Sequence, residues 1–159
     1  LPEVKWAPRA NRHLTLRFIG DVPGDSLPAI REALRSAQAQ AFSLRLNGLG
    51  MFARDRQTIL WAGVAACPEL PALKRLVDTA LAEKTHLTLE SGPFVPHITL
   101  AKIKGPASEE LRHLTNEQAT KVTGEFTVNS FTLFSSKLNP GRAIHSVEER
   151  YPLVAPQAR

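Results

Sequence analysis

One short pattern occurs twice in this chain, as His13-Leu14-Thr15-Leu16 and His97-Ile98-Thr99-Leu100, 84 residues apart. Residues downstream of each copy recur at the same interval: Phe42 falls on Phe126, Leu49 on Leu133 and Leu60 on Ile144, with a helix-like segment between motif and phenylalanine in both copies. Two long copies in 159 residues exclude solenoids and propellers, which stack several short units. They predict two similar lobes facing each other across a cleft. Within each motif apolar and polar residues alternate, as in a strand whose side chains point to opposite faces. Leu14, Leu16 and Phe18 are therefore expected in a core, with His13, Thr15 and Arg17 on the other face; Ile98 and Leu100 pack inward, with His97, Thr99 and Ala101 opposite. Two strand rises set histidine and threonine roughly 6–7 Å apart along one face in each copy.

His86-Leu87-Thr88-Leu89 fits the same short pattern, and only the register separates it from the others. The first two histidines are each followed 29 residues later by a phenylalanine that opens a strand-like run; the same step from His86 reaches Thr115, inside a polar helical segment. The repeat thus selects His13 and His97.

The remaining chain reads as alternating short strands and helices. Strands are expected at 4–6, 12–19, 42–46, 58–65, 86–90, 95–102, 125–135 and 143–153. A helix capped by Asp25 or Ser26, with Pro28 in its first turn, runs to about Gln40; a second covers Pro68 to Lys84, with Leu70, Leu73, Leu76, Val77, Ala80 and Leu81 on one stripe; Ser108 caps a third over Glu109 to Ala119. Loops are expected around Gly48-Leu49-Gly50, read as a turn, and around Arg54-Asp55-Arg56. Extended backwards, the repeat calls for a strand and a helix before Leu1, so a single bilobal domain over 1–159 that lacks an N-terminal strand and helix is expected.

Composition narrows the chemistry. With 43% hydrophobic residues the chain can bury an ordinary core, and a formal charge of +5 favours an anionic partner such as RNA, a merely soluble surface being the alternative. Cys67 is the one cysteine, so neither an intramolecular disulfide nor a Cys-based zinc site can form, and a cytoplasmic location is expected. No run of about 18 apolar residues suggests a membrane span. Two imidazoles can share acid and base work near neutral pH, one taking a proton from water and the other giving one to a leaving oxygen, while threonine hydroxyls bond the non-bridging phosphate oxygens. That is metal-free hydrolysis of a phosphodiester, and no metal or cofactor is expected.

The stretches His13-Leu14-Thr15-Leu16-Arg17-Phe18-Ile19-Gly20, Gly48-Leu49-Gly50-Met51-Phe52, Leu60-Trp61-Ala62-Gly63-Val64 and Phe94-Val95-Pro96-His97-Ile98-Thr99-Leu100-Ala101-Lys102 together resemble the 2H phosphoesterase superfamily, and within it the bacterial and archaeal RNA 2′,3′-cyclic phosphodiesterases, also called 2′-5′ RNA ligase-like proteins. The resemblance implies an α+β fold of two pseudo-twofold-related lobes, each an antiparallel sheet with helices on its outer face, with the active cleft between them. It further implies opening of RNA 2′,3′-cyclic phosphate ends to 2′-phosphate, with 2′-5′ ligation of tRNA halves in some members, by a monomer without cofactors. His13 and His97 match the catalytic histidines, with His97 assigned as base and His13 as acid. Thr15 and Thr99 match the phosphate-binding threonines. Lys102 stands where arginine is common and is expected near phosphate or ribose, although simple alternation puts it on the face opposite His97, so that its length or a bulge is needed. His145 stands where a tyrosine is frequent. Phe94, Phe52 and Trp6 could stack an RNA base, but aromatics near a turn more often pack in a core or as a staple, and Arg17 could meet phosphate, with solvated surface as the alternative. Alternative functions are hydrolysis of small cyclic nucleotides or ADP-ribose cyclic phosphate, and a non-catalytic RNA-end-binding module.

Overall fold

Alternating segments become strands here where a neighbouring segment can satisfy their backbone groups. The computed structural model describes residues 3–119, 121–139 and 142–155. Its strands are β1 (Val4–Trp6), β2 (Phe42–Ala53), β3 (Gln57–Val64), β4 (His97–Lys104), β5 (Val122–Val128), β6 (Ser130–Asn139) and β7 (Arg142–Pro152); its α-helices are α1 (Leu27–Ser36), α2 (Glu69–Lys84) and α3 (Glu109–Glu117). The fold is α+β, with antiparallel ladders in a five-stranded sheet ordered β1-β4-β3-β2-β5 and in a two-stranded sheet β6-β7. None of the described helices is long and apolar enough to cross a membrane.

The chain divides into two compact units, and each draws on both copies of the repeat. The first comprises 1–16, 44–66 and 95–126, and so combines the β2–β3 hairpin of the first copy with β4 and α3 of the second. The second comprises 17–43, 67–94 and 127–159, and combines the β6–β7 hairpin of the second copy with α1 of the first, together with α2.

In the first unit β3 is the central strand, as its apolar run requires, and Leu44, Leu60, Ala62, Ala101 and Ile103 are buried. Thr58 is fully buried, its hydroxyl donating to the Gly105 carbonyl. Ser108 caps α3 as its position predicts, its hydroxyl accepting from the Leu111 amide.

In the second unit α1 and α2 pack through Ile30, Ala33, Leu34, Leu70, Leu73, Val77 and Leu81. Arg31 and Arg35 of α1 bond Glu148 and Glu149 of β7 at 2.9 and 2.7 Å. Arg17 makes a bidentate pair with Asp78, both contacts 2.7 Å, and also donates to the Glu90 carbonyl. Lys74 bonds Asp78 at 2.6 Å and lies over the Phe94 ring at 5.5 Å. Burial pushes the Asp78 carboxyl up, but the bonds from Arg17 and Lys74 outweigh it and hold the group below its ordinary range. Arg17 and Phe94 therefore serve this network, and the expected phosphate and base contacts give way to it.

Four expectations of local structure are corrected. The stretch 12–19 forms no continuous strand: its contribution is a single antiparallel bridge from Leu14 to Ile98, and Phe18, expected in a core, is 76% exposed. The stretch 86–90 is irregular, with His86 exposed. The run 125–135 is two strands, β5 and β6, separated at Asn129, whose carbonyl accepts from the Leu153 amide. Gly48-Leu49-Gly50 is no turn; β2 runs straight through it with a register shift between Leu46 and Leu49. At that bulge Gly48 has φ +75°, and a Cβ there would lie 2.5 Å from the carbonyl oxygens of Gln118 and Ala119, so the strand needs glycine to meet the end of α3.

Candidate active site

β4 carries the second motif, and its two edges are built differently. One edge pairs with β3 along its length, from Gly63 opposite His97 to Gln57 opposite Lys104. The other edge pairs with β1, Trp6 opposite Ala101, after which the chain departs through a short helical turn at Arg9–Asn11 and returns with Leu14 opposite Ile98. The first motif thus reaches the same edge of the strand that holds the second. Leu14 is flanked by His13 and Thr15, and Ile98 by His97 and Thr99, so the bridge brings the two motifs side by side. His97 and Thr99 share one face of β4, opposite Ile98.

Both imidazoles are anchored alike. His13 Nδ1 lies 2.6 Å from the Asn11 carbonyl, and His97 Nδ1 lies 2.7 Å from the Val95 carbonyl, in each case two residues back. A carbonyl can only accept, so Nδ1 is the donor in both rings, and Nε2 is left as the atom that gains or loses a proton.

His97 has a second support. The Phe52 ring meets it edge-on, with centroids 5.0 Å apart and planes at 90°; Trp61 lies 5.8 Å away at 53°, and Phe52 and Trp61 are 5.3 Å from each other. Trp61 is register partner to both Gly50 and Thr99. A Cβ on Gly50 would come within 2.2 Å of the indole, so the absence of a side chain there gives the ring its seat, while a Cβ on Gly63 would lie 2.7 Å from the Asn47 carbonyl oxygen. The Trp61 N–H is buried without a hydrogen-bond partner among the described residues, which leaves packing to hold the indole. Phe52 thus packs against His97, in keeping with the packing reading of this residue rather than with base stacking. Trp61 and Gly50 are not singled out for the site by sequence, because their pairing follows only from the strand register.

The face of Lys102 is settled by an irregularity in β4. Leu60 pairs with Ala101 and Trp61 with Thr99, which leaves Leu100 as the extra residue of a bulge. Beyond it Lys102 pairs with Ile59, two residues from Trp61, and so shares the face of Thr99 and His97 while Ala101 and Ile103 are buried on the other. Strict alternation, which assigns Lys102 to the opposite face, fails here for this reason.

His113 is exposed and pairs with Glu117 on α3 at 3.1 Å. His145, in the second unit, is exposed on β7 with Nδ1 2.6 Å from the Ser136 hydroxyl of its register partner. Trp6 is 65% exposed on β1. Cys67 is half-buried and its thiol lies 3.1 Å from the Glu69 carboxylate; burial and that carboxylate raise its pKa, the reverse of what a nucleophile needs. Among the described residues no three His, Cys, Asp or Glu side chains stand together as metal ligands.

The sequence model of the 2′-5′ RNA ligase superfamily matches residues 2–140 of this chain. The chain belongs to that superfamily. Two relatives, both named RNA 2′,3′-cyclic phosphodiesterase, come from Aquifex aeolicus and Aeropyrum pernix. The first is 31% identical over 94% of this chain and 81% of its own length, and the second 37% identical over 80% and 74%. Superfamily structures agree in fold. Protein TT0787 of Thermus thermophilus matches with a TM-score of 0.76 at 27% identity, over 97% of this chain and 84% of its own, and E. coli LigT complexed with 3′-AMP with 0.72 at 25%, over 94% and 80%.

Proposed function

We propose that this protein hydrolyses the 2′,3′-cyclic phosphate at RNA ends to a 2′-phosphate, with His97 and His13 as its base and acid. The meeting of the two His-x-Thr stretches at the Leu14–Ile98 bridge supports this reading; in our proposal the antiparallel register extends to the flanking residues, His13 against Thr99 and Thr15 against His97, so that one phosphate meets two imidazoles and two hydroxyls. The substrate class is supported by the name RNA 2′,3′-cyclic phosphodiesterase that the relatives share.

In this mechanism water attacks phosphorus and gives a proton to His97 Nε2, the bond from phosphorus to O3′ breaks, and O3′ takes a proton from His13 Nε2. The two rings exchange protonation states, and proton transfer through solvent restores them. Both Nδ1 atoms keep their carbonyl partners throughout, so neither ring has to rotate. Thr15 and Thr99 donate to the non-bridging oxygens, where charge builds as water adds. Lys102 adds a positive charge on the same face. A 5′-hydroxyl in place of water gives a 2′-5′ linkage by the same transfers, which makes paired RNA ends such as tRNA halves candidate substrates.

The test is hydrolysis of an oligonucleotide ending in 2′,3′-cyclic phosphate, with and without EDTA, together with phosphorus NMR of the product. The expected result is a 2′-phosphomonoester formed at the same rate in both samples. No hydrolysis, a 3′-phosphate product, or loss of activity with EDTA would contradict the proposal.

A further inference from the structure

The proposed chemistry leaves one feature of the site face unused. Lys5 of β1 and Lys102 of β4 are direct register partners. Opposed residues of an antiparallel pair point to the same face with Cβ atoms about 4.5–5.5 Å apart, and like charges there destabilise the pairing. Both lysines are exposed, and neither has an acidic partner among the ion pairs of the described residues. A lysine on an edge strand can serve to block edge-to-edge pairing. That accounts for Lys5 alone, since β4 lies between β1 and β3 and Lys102 is on no edge. Two cations held against each other beside a phosphate site are instead what a second anion requires.

We propose that Lys5 and Lys102 together hold the phosphodiester on the 5′ side of the terminal nucleoside, so that the protein prefers an RNA end to a cyclic mononucleotide. This inference rests on the cyclic-phosphate reading above. The bulge that turns Lys102 toward the His97 face also brings Lys5 to that face, because the two are cross-strand partners. Lys102 is three residues beyond Thr99 on β4, roughly 7–10 Å along the strand, and lysine side chains are long enough to bridge from there to the next phosphate of the same chain. A phosphodiester between the two ammonium groups turns their mutual repulsion into two charge-assisted contacts.

The experiment compares kcat/KM for a dinucleotide ending in 2′,3′-cyclic phosphate with that for a 2′,3′-cyclic mononucleotide carrying a 5′-hydroxyl, which lacks the upstream phosphate. It is run on the unmodified protein, Lys5→Gln and Lys5→Arg, over a series of salt concentrations. The expected result is a preference for the dinucleotide that falls about 5- to 10-fold in Lys5→Gln and is kept in Lys5→Arg, with the slope of log rate against log salt for the dinucleotide reduced by about 0.7 in Lys5→Gln. Hydrolysis of both substrates with an unchanged preference in Lys5→Gln would overturn the lysine pair and leave the proposed function standing. Hydrolysis of neither substrate by the unmodified protein would overturn the cyclic-phosphate reading and this inference with it.

Discussion

The two His-x-Thr stretches are nearly the same in sequence and are held very differently. His97-Ile98-Thr99-Leu100 opens a strand paired to β3, and Phe52 and Trp61 lie against its imidazole. His13-Leu14-Thr15-Leu16 is fastened to that strand by one bridge, with His13 and Thr15 exposed. The contact common to both is the most local one, the bond from Nδ1 to the carbonyl two residues back. This bond spans only three residues of sequence, from the carbonyl to the histidine, whereas a continuous strand depends on neighbours from elsewhere in the chain. In the proposed site the second stretch supplies the frame, and the first completes it.

That contrast can be broken or sharpened by experiment. The largest effect is expected from the histidines themselves: His97→Ala and His13→Ala each lower kcat/KM by at least about 10²-fold on a cyclic-phosphate-ended oligonucleotide, and the double variant is little worse than the poorer single one, since the two groups act as a unit. Strictly additive losses would show that the two rings act separately. Next is the difference in backbone stability. Amide hydrogen exchange at 98–100 is expected to be at least about tenfold slower than at 14–16, where a single bridge holds the chain; equal protection would remove the distinction drawn between the two stretches. Gly50→Ala is expected to lower kcat about tenfold with a smaller change in KM, because the new methyl group displaces the indole that lies beside His97; an unchanged kcat would reduce Trp61 to ordinary core.

The smallest effect lies away from the histidines, and it serves as a control on stability. Tyr151, buried and stacked on Phe131 with centroids 5.0 Å apart, has its pKa pushed up from 10.0 to about 12, first by burial and then by the neighbouring Glu149 carboxylate, with which its hydroxyl forms no hydrogen bond of regular geometry. The folded state thus holds the phenolic proton more tightly than the unfolded chain. The resulting stabilisation is fully present below about pH 10 and is lost as pH rises toward about 12, a change of about 3 kcal/mol. Denaturant unfolding of the protein and of Tyr151→Phe across that range checks it: the variant is expected to lack this part of the pH dependence, and an identical profile would contradict the assignment.

Much of the site is legible in the sequence because its information is local or periodic. The 84-residue register distinguishes His97 from His86 and sets Phe42 against Phe126, each of which lies in a strand. The helices are readable from their apolar stripes and caps, as Ser108 shows. The hidden features depend on interruptions of periodicity. The bulge at Leu100 reverses the face of Lys102, and the bulge at Gly48 lets a strand run through a pair of glycines that otherwise reads as a turn. Neither carries a proline or a charge pattern to announce it. The bracing of His97 by Phe52 and Trp61 is hidden for a related reason, since cross-strand neighbours are known only once register is fixed. Arg17 escapes a correct reading because alternation gives a face but not a partner, and Asp78 lies 61 residues away in sequence.

The crossed acid–base pair is tested most directly by the dependence of kcat/KM on pH from about 5 to 9, measured on the unmodified protein, His13→Ala and His97→Ala. The account predicts a bell for the unmodified protein, one limb requiring an unprotonated imidazole and the other a protonated one, with a different limb missing from each variant. A single monotonic limb in the unmodified protein, or both limbs retained in either variant, would contradict it.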